Sequence, residues 1–182
     1  EGAETVHMVL ANMSEALRWC REQVVDRMNR GMGESEILHD IDFPAELFDK
    51  PWMLPIYGDP TYIVRDLFRE ENGWWDRNPT TLHPSPPDQA AFEILSALGD
   101  PATVVNRAKD LAQGGQTQLA LHVIDLVALA PGDDPVVAEA RVVKAELCRV
   151  RSKEVEPFVS KSCYRSSARL LDEGHTSWQD LP

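Results

Sequence analysis

The amino-acid sequence predicts an all-α protein, in which a long N-terminal helix is followed by helices that pair in an antiparallel array. Three helix starts carry the same signal, an aspartate followed by a proline. The carboxylate caps free backbone amides, and the proline occupies the first turn without loss of a hydrogen bond. Glycines that can close a helix lie near the matching ends, and no alternating strand pattern persists. The starts are Asp59-Pro60, Asp100-Pro101 and Asp134-Pro135, and the glycines are Gly73, Gly99, Gly114 and Gly174.

The first predicted helix covers residues 4–30 and carries a narrow apolar stripe along its length. The stripe residues follow one another at spacings of 4, 3, 4, 3, 4 and 4, close to the repeat of a coiled-coil seam. At a rise of about 1.5 Å per residue the helix is about 40 Å long, which exceeds the diameter of a small domain. The stripe therefore needs a second surface, which favours a partner. Its members are Val6, Leu10, Met13, Leu17, Cys20, Val24 and Met28.

After the first helix, short helices alternate with proline-broken connections. Two short helices are predicted over residues 34–48 and a firmer one over 60–72, joined by a connection over 50–59. From 73 to 87 four prolines exclude regular structure, and a long ordered loop of this kind usually wraps a surface or lines a site. Four tryptophans lie outside the periodic helices, where they either pack irregular segments onto the core or belong to an interface or ligand pocket. These are Trp52, Trp74, Trp75 and Trp178.

The second half of the chain predicts a helical array with short connections, which make neighbouring helices antiparallel. The layout is typical of tetratricopeptide-type helical pairs, although the consensus aromatic residues of that repeat are absent. The helix over 116–130 is apolar almost all round, which predicts the buried centre of the array and a core position for His122. The array helices are predicted over 88–98, 101–113, 116–130, 135–151 and 154–172.

We expect the chain to be a single all-α domain over residues 1–182. An extended arm and irregular loop would cover 1–87, the helical array 88–174, and a tail 175–182. A length of 182 residues is sufficient for one domain with a sizeable core.

Composition argues against two classes of partner. Lys and Arg number 18 and Asp and Glu number 30, so the net charge is −12. A nucleic-acid binder needs a basic face, and so does a protein held on an anionic membrane surface. Three widely spaced cysteines favour a reducing compartment, with the cytoplasm slightly preferred. Cys20 and Cys163 fit apolar helix faces and are expected to be inert core thiols.

Motifs for catalysis and metal binding are absent from the sequence. No two of the five histidines share a helical turn, and no HxH, HExxH or CxxC spacing occurs. No GxSxG nucleophile motif occurs, and Gly114-Gly115 is followed by no phosphate-binding lysine. We therefore predict no catalytic residue, no metal ligand and no cofactor within this chain.

One block of residues, centred on a GWWDRNP run, carries a resemblance to a known family. The motifs of this block occur in the same order as in the dimerisation domain of the alkyl sulfatases, which the sequence therefore resembles. These enzymes are the SDS-hydrolase-like members of the metallo-β-lactamase superfamily. The family resemblance extends to the part of the first helix from Ala16 to Gly31 and to the later helices around Ala120-Leu121. It therefore covers residues 5–172. The block runs Tyr57-Gly58, Leu67-Phe68, Gly73-Trp74-Trp75-Asp76-Arg77-Asn78-Pro79, Leu82-His83-Pro84 and Pro86-Pro87.

The resemblance implies a non-catalytic domain that joins two subunits through intertwined N-terminal helices. In that family a catalytic domain with an HxHxDH motif and two zinc ions hydrolyses the sulfate ester, and a sterol-carrier-like domain often follows. None of those zinc ligands maps onto this sequence. Zinc is therefore expected only in the separate catalytic domain. The partners implied are a second copy of the chain and that catalytic domain.

The resemblance and the apolar stripe together indicate interface residues. We expect the dimer interface to contain Val6, Leu10, Met13, Leu17 and Trp19, with Trp74 and Trp75. Tyr57, a phenol in a glycine turn, is a candidate for lining a substrate pocket. The family commonly has glycine where Arg77 stands, so the turn after Asp76 either accommodates a non-glycine residue or differs in conformation.

Two other interpretations stay open. One is a free-standing helical-repeat module that binds another protein along a concave face. The other is a hydrolase subunit that acts on sulfate esters through an unrecognised site.

Overall fold

The computed structural model describes residues 2–176, which form ten α-helices and no β-strand. The predicted all-α fold is thereby confirmed. The predicted tail over 175–182 lies largely outside the described residues, and so does Trp178. The helices are α1 (Ala3–Asn29), α2 (Glu34–Asp40), α3 (Ala45–Phe48), α4 (Pro60–Glu70), α5 (Pro79–Leu82), α6 (Pro87–Ala97), α7 (Pro101–Gln113), α8 (Thr117–Ala128), α9 (Pro135–Glu154) and α10 (Phe158–Asp172).

The aspartate-proline signals start helices α4, α7 and α9 as predicted. Each aspartate side chain accepts a hydrogen bond from the backbone amide two residues ahead, and the proline occupies the first turn. The distances are 2.9 Å for Asp59, 3.1 Å for Asp100 and 2.9 Å for Asp134.

The expectation that residues 73–87 lack regular structure is wrong at one place. Helix α5 forms one turn within this span, because Asn78 followed by Pro79 is the same start signal with an amide in place of the carboxylate. The Asn78 side chain accepts from the backbone amide of Thr80 at 3.1 Å. The last helix also starts later than predicted, at Phe158, since Pro157 has no amide hydrogen to donate within a helix.

The chain divides into two compact units, one up to His83 and one from Pro84. In the first unit α1 packs on α3 and α4, and α2 packs on α4. The core of this unit contains Val24 of α1, Val64 and Phe68 of α4, and Ile37 and Ile41 in and after α2. The assignment of a single domain to residues 1–182 stays a prediction.

A nearly buried arginine fastens α2 to the end of α1. Arg27 is 9% exposed, and its Nε donates to Oδ2 of Asp40 at 2.8 Å. Its Nη1 donates to Oε1 of Gln23 at 2.7 Å, so the guanidinium is held from both sides. A charge-assisted pair of this kind sets the direction in which the chain leaves α1.

In the second unit α7, α8 and α9 each pack against the next helix in the chain, whereas α6 packs on α8. Helix α8 contacts α6, α7 and α9, and α10 contacts α9. The residues that meet at the centre are almost completely buried: Val105 of α7, Ile124 and Val127 of α8, and Val137 of α9.

Helix α8 was predicted to be the buried centre of the array, and it does contact α6, α7 and α9, but one of its faces is not buried. Leu119 and Leu126 are about half exposed, and His122 is exposed rather than a core histidine. Hydrophobicity alone did not indicate that one face of this helix lies uncovered in the described chain. Cys163, expected in the core, is likewise exposed on α10, whereas Cys20 and Cys148 are buried.

Candidate interaction surface

The N-terminal half of α1 carries a row of exposed apolar side chains, here named the exposed seam: Val6, Leu10, Met13 and Leu17. Their exposed fractions are 57%, 61%, 40% and 51%. At 3.6 residues per turn the four fall within an arc of about 60° on the helix. A row of exposed apolar side chains of this size is uncommon on the surface of a monomer and is typical of interaction sites, so we treat the exposed seam as a candidate.

The same helix face is buried farther along α1. Cys20 and Val24 continue the row of the exposed seam, and both are completely buried. Val24 belongs to the core cluster that includes Val64 and Phe68 of α4. The seam is exposed because α1 extends beyond the part that its own unit covers, as its length predicted.

The adjacent face of α1 is occupied within the same chain. Trp19 lies 5.9 Å from Phe43 and 5.6 Å from Phe48 between ring centroids, and the two phenylalanines are 5.0 Å apart, which is the range of edge-to-face packing. Asn12 accepts from Nε1 of Trp52 at 2.7 Å. These contacts fix the rotation of α1, so the exposed seam has a defined direction. Trp19 is half-buried and borders the seam.

Trp74 and Trp75 lie near the other end of α1, where they line a cavity together with Met28. Met28 lies eleven positions after Leu17, a rise of about 16 Å along the helix. The structure therefore places the tryptophans apart from the exposed seam. Trp74 is 71% exposed and Trp75 is half-buried, with ring centroids 6.5 Å apart.

The tryptophan loop is held by its own polar groups. Nε1 of Trp75 donates to the carbonyl of Asn78 at 3.0 Å. Asp76 accepts from the backbone amide of Asn78 at 2.9 Å and from the Thr81 hydroxyl. The hydroxyl contact, followed by the amide, lowers the pKa of Asp76. Arg77 has φ of 65°, so the turn does accommodate a non-glycine residue, in the left-handed region.

The last residue that the sequence singled out is Tyr57, the candidate for a substrate pocket. Tyr57 is exposed on the connection before α4. Within residues 2–176, no three histidine, cysteine or acidic side chains group closely enough to hold a metal ion, so the side chains there do not fit a zinc site. No helix of the described chain has the length and apolarity to cross a membrane.

Sequence reasoning missed the exposed apolar side chains of the second unit. They include Phe92 on α6, Leu119 and Leu126 on α8, and Leu129 just after it. The signal was present in the unusually apolar helix over 116–130, which was interpreted as a core element because a sequence does not show which faces are covered.

Comparison with known proteins finds alkyl sulfatases both in the family model and among the relatives. The family model for alkyl sulfatase dimerisation matches residues 33–174. A linear primary-alkylsulfatase from Pseudomonas sp. (strain ATCC 19151) is 28% identical over 149 residues, which are 81% of this chain and 28% of that protein. An (R)-specific secondary-alkylsulfatase from Pseudomonas sp. is 24% identical over 174 residues, which are 95% of this chain and 26% of that protein.

The fold also matches a solved structure. The stereoselective inverting sec-alkylsulfatase Pisa1 from Pseudomonas sp. superposes with a TM-score of 0.84 at 23% identity, covering 95% of this chain and 27% of that chain. The chain therefore spans about a quarter of the length of the relatives that it matches.

Proposed function

This chain belongs to the alkyl sulfatase dimerisation family, as its sequence predicts, and on that basis we propose that it is a non-catalytic homodimerisation domain. It joins two subunits of an alkyl-sulfatase-like hydrolase. The hydrolysis of the sulfate ester belongs to a separate catalytic domain of metallo-β-lactamase type, which holds the zinc. The observation that carries this proposal is the exposed seam of α1.

The exposed seam has the properties of a self-complementary surface. Its residues are two leucines, a valine and a methionine at alternating spacings of 4 and 3, the pattern that lets side chains of one helix fit between those of another. In a two-fold dimer the same patch serves both subunits, so each apolar contact occurs twice. A second copy of α1 thus supplies the cover that the face lacks within residues 2–176.

The aromatic residues take secondary roles in this proposal. Trp19 lies at the border of the seam, where its packing on Phe43 and Phe48 holds α1 in place. Trp74 and Trp75 contribute a second contact region in the dimer, since large aromatic side chains concentrate binding energy at interfaces. Tyr57 is proposed to face the catalytic domain and to line the entry for substrate.

The proposal is tested by the solution mass of the chain over a hundredfold range of concentration, measured by light scattering. We expect a constant mass of twice 20.4 kDa. A concentration-independent monomer would contradict the proposal that this domain dimerises by itself. Metal analysis and an alkyl-sulfate assay on the same sample should give no zinc and no turnover, and turnover would instead support an unrecognised catalytic site.

A second candidate function is a free-standing module that binds another protein. The exposed apolar side chains of the second unit favour it, because Leu119, Leu126 and Leu129 leave an apolar face of α8 uncovered within the described chain. A monomeric chain whose binding to a distinct protein is lost on Leu119→Asp would support this candidate over the homodimer.

A further inference from the structure

A small cavity lies between the end of α1, the end of α4 and the tryptophan loop, and no role has been assigned to it. Its volume is about 300 Å³, at the lower end of the range for small-molecule sites. Four of its walls are apolar or aromatic: Met28, Phe68, Trp74 and Trp75. The polar walls are Asn72 and Arg77.

The cavity depends on the close approach of the loop to α4. The backbone amide of Gly73 donates to the carbonyl of Phe68 at 2.7 Å. A Cβ atom on Gly73 would lie 2.4 Å from the Phe68 ring, so only glycine allows this turn. On either side of the indoles, Asn72 and Arg77 have φ of 71° and 65°. Asn72 is the left-handed residue that closes α4, a position that asparagine tolerates. Arg77 closes no helix, and its left-handed conformation is uncommon for a residue other than glycine.

Among the described residues that line this cavity, Arg77 alone has a charged side chain. No carboxylate of residues 2–176 forms an ion pair with it. Its neighbour Asp76 is engaged by a backbone amide and a hydroxyl of the same loop. One nitrogen, Nη1, lies 3.4 Å from where a Cβ of Gly31 would be, so the guanidinium is placed against the turn after α1. The planar guanidinium of Arg77 can donate two parallel hydrogen bonds to two oxygens of an oxyanion.

We propose that this cavity binds a small organic monoanion. An oxyanion group, such as a carboxylate or a sulfonate, would pair with Arg77, and an apolar body would lie against the indoles, Met28 and Phe68. The inference does not rest on the proposed dimer, because every wall belongs to one chain.

The surroundings favour a single negative charge. Arg77 also borders a larger cavity of about 510 Å³, whose lining includes Glu34, Glu36 and Asp76. Arg69 also lines this larger cavity, and Glu34 is paired with Arg65. Glu36 and Asp76 form no ion pair within residues 2–176, so their carboxylates repel a second negative charge. Inorganic sulfate should therefore bind less well than a hexyl monoanion, which also covers the apolar walls.

The test is a titration of the chain with four probes, followed by tryptophan fluorescence and by calorimetry. Hexanesulfonate and hexanoate distinguish the two head groups, hexanol presents the apolar body alone, and inorganic sulfate presents an oxyanion alone. We expect saturable binding of at least one hexyl anion, with one site per chain, and affinity at least about tenfold weaker for hexanol and sulfate. No saturable binding of either hexyl anion, or equal affinity for hexanol, would overturn the proposal.

Two variants of Arg77 separate binding from folding. Arg77→Gln should weaken binding of the hexyl anion at least about tenfold, whereas the matched control Arg107→Gln, an exposed arginine on α7, should leave it unchanged. Arg77→Gly should also lose binding, but its melting temperature should equal or exceed that of the parent chain, because glycine accepts φ of 65° without strain. If Arg77→Gln and Arg77→Gly both bind the hexyl anion with the parent affinity, Arg77 does not contact the ligand and the proposal is wrong. Lower stability of Arg77→Gly with unchanged binding would assign a structural role instead.

Discussion

Replacing Leu10 and Leu17 by aspartate should separate the proposed dimer into monomers. Complete burial of a leucine side chain contributes about 2 kcal/mol. Since 61% of Leu10 and 51% of Leu17 is exposed, covering both contributes about 2.2 kcal/mol per subunit, or about 4.5 kcal/mol for two subunits. Losing this free energy raises the dissociation constant about a thousandfold. The uncompensated carboxylates increase the loss further, because a buried charge without a partner is costly.

The assay is analytical ultracentrifugation or light scattering of the double variant over a hundredfold concentration range. The matched control is Leu119→Asp with Leu129→Asp, whose side chains are 51% and 52% exposed and lie in the other unit. Circular dichroism should show the parent helix content in both variants, since neither pair belongs to a core. A double variant at Leu10 and Leu17 with the parent dissociation constant would refute the exposed seam as the interface. If only the control variant is monomeric, the interface lies in the helical array instead.

Two further predictions concern packing and thiol chemistry. Gly73→Ala should lower the free energy of unfolding by about 1–3 kcal/mol through overpacking, because its Cβ would meet an aromatic ring at 2.4 Å and a backbone carbonyl at 2.5 Å. Gly99→Ala, with no atom within 4 Å, should be neutral in the same urea titration, and equal losses would contradict this account. Burial raises the pKa of Cys20 to about 11, so its reactive thiolate is scarce at pH 8. Mass spectrometry after brief alkylation of the native chain should therefore find the adduct on Cys163 and not on Cys20, and an adduct on Cys20 at a similar rate would contradict its burial.

The starts of α4, α7 and α9 were predictable because their signals are local. A capping side chain two residues from the amide that it accepts, with proline in the first turn, requires no knowledge of the rest of the fold. Helix α5 was missed although Asn78-Pro79 carries the same signal, because the many prolines around it predict irregular structure. Its single turn is also short, and hydrophobic periodicity contributes nothing over four residues.

Exposure was less predictable than secondary structure. The leucines of α8 that face solvent are as apolar as those in its core, so the sequence did not distinguish them. The stripe of α1 was correctly identified as one face by its spacing. The spacing did not reveal that the cover ends between Leu17 and Cys20, because that boundary depends on where α4 packs.

Composition, capping residues and apolar spacing thus determined an all-α chain, the long first helix and the apolar stripe along it. The GWWDRNP block determined the family. The cavity beside the indoles was decided by tertiary structure alone, because Met28, Phe68 and Arg77 are far apart in sequence and meet only when the turn at Gly73 folds back onto α4. Periodicity reports which residues share a face of one helix, whereas a binding site depends on which faces meet and which remain uncovered.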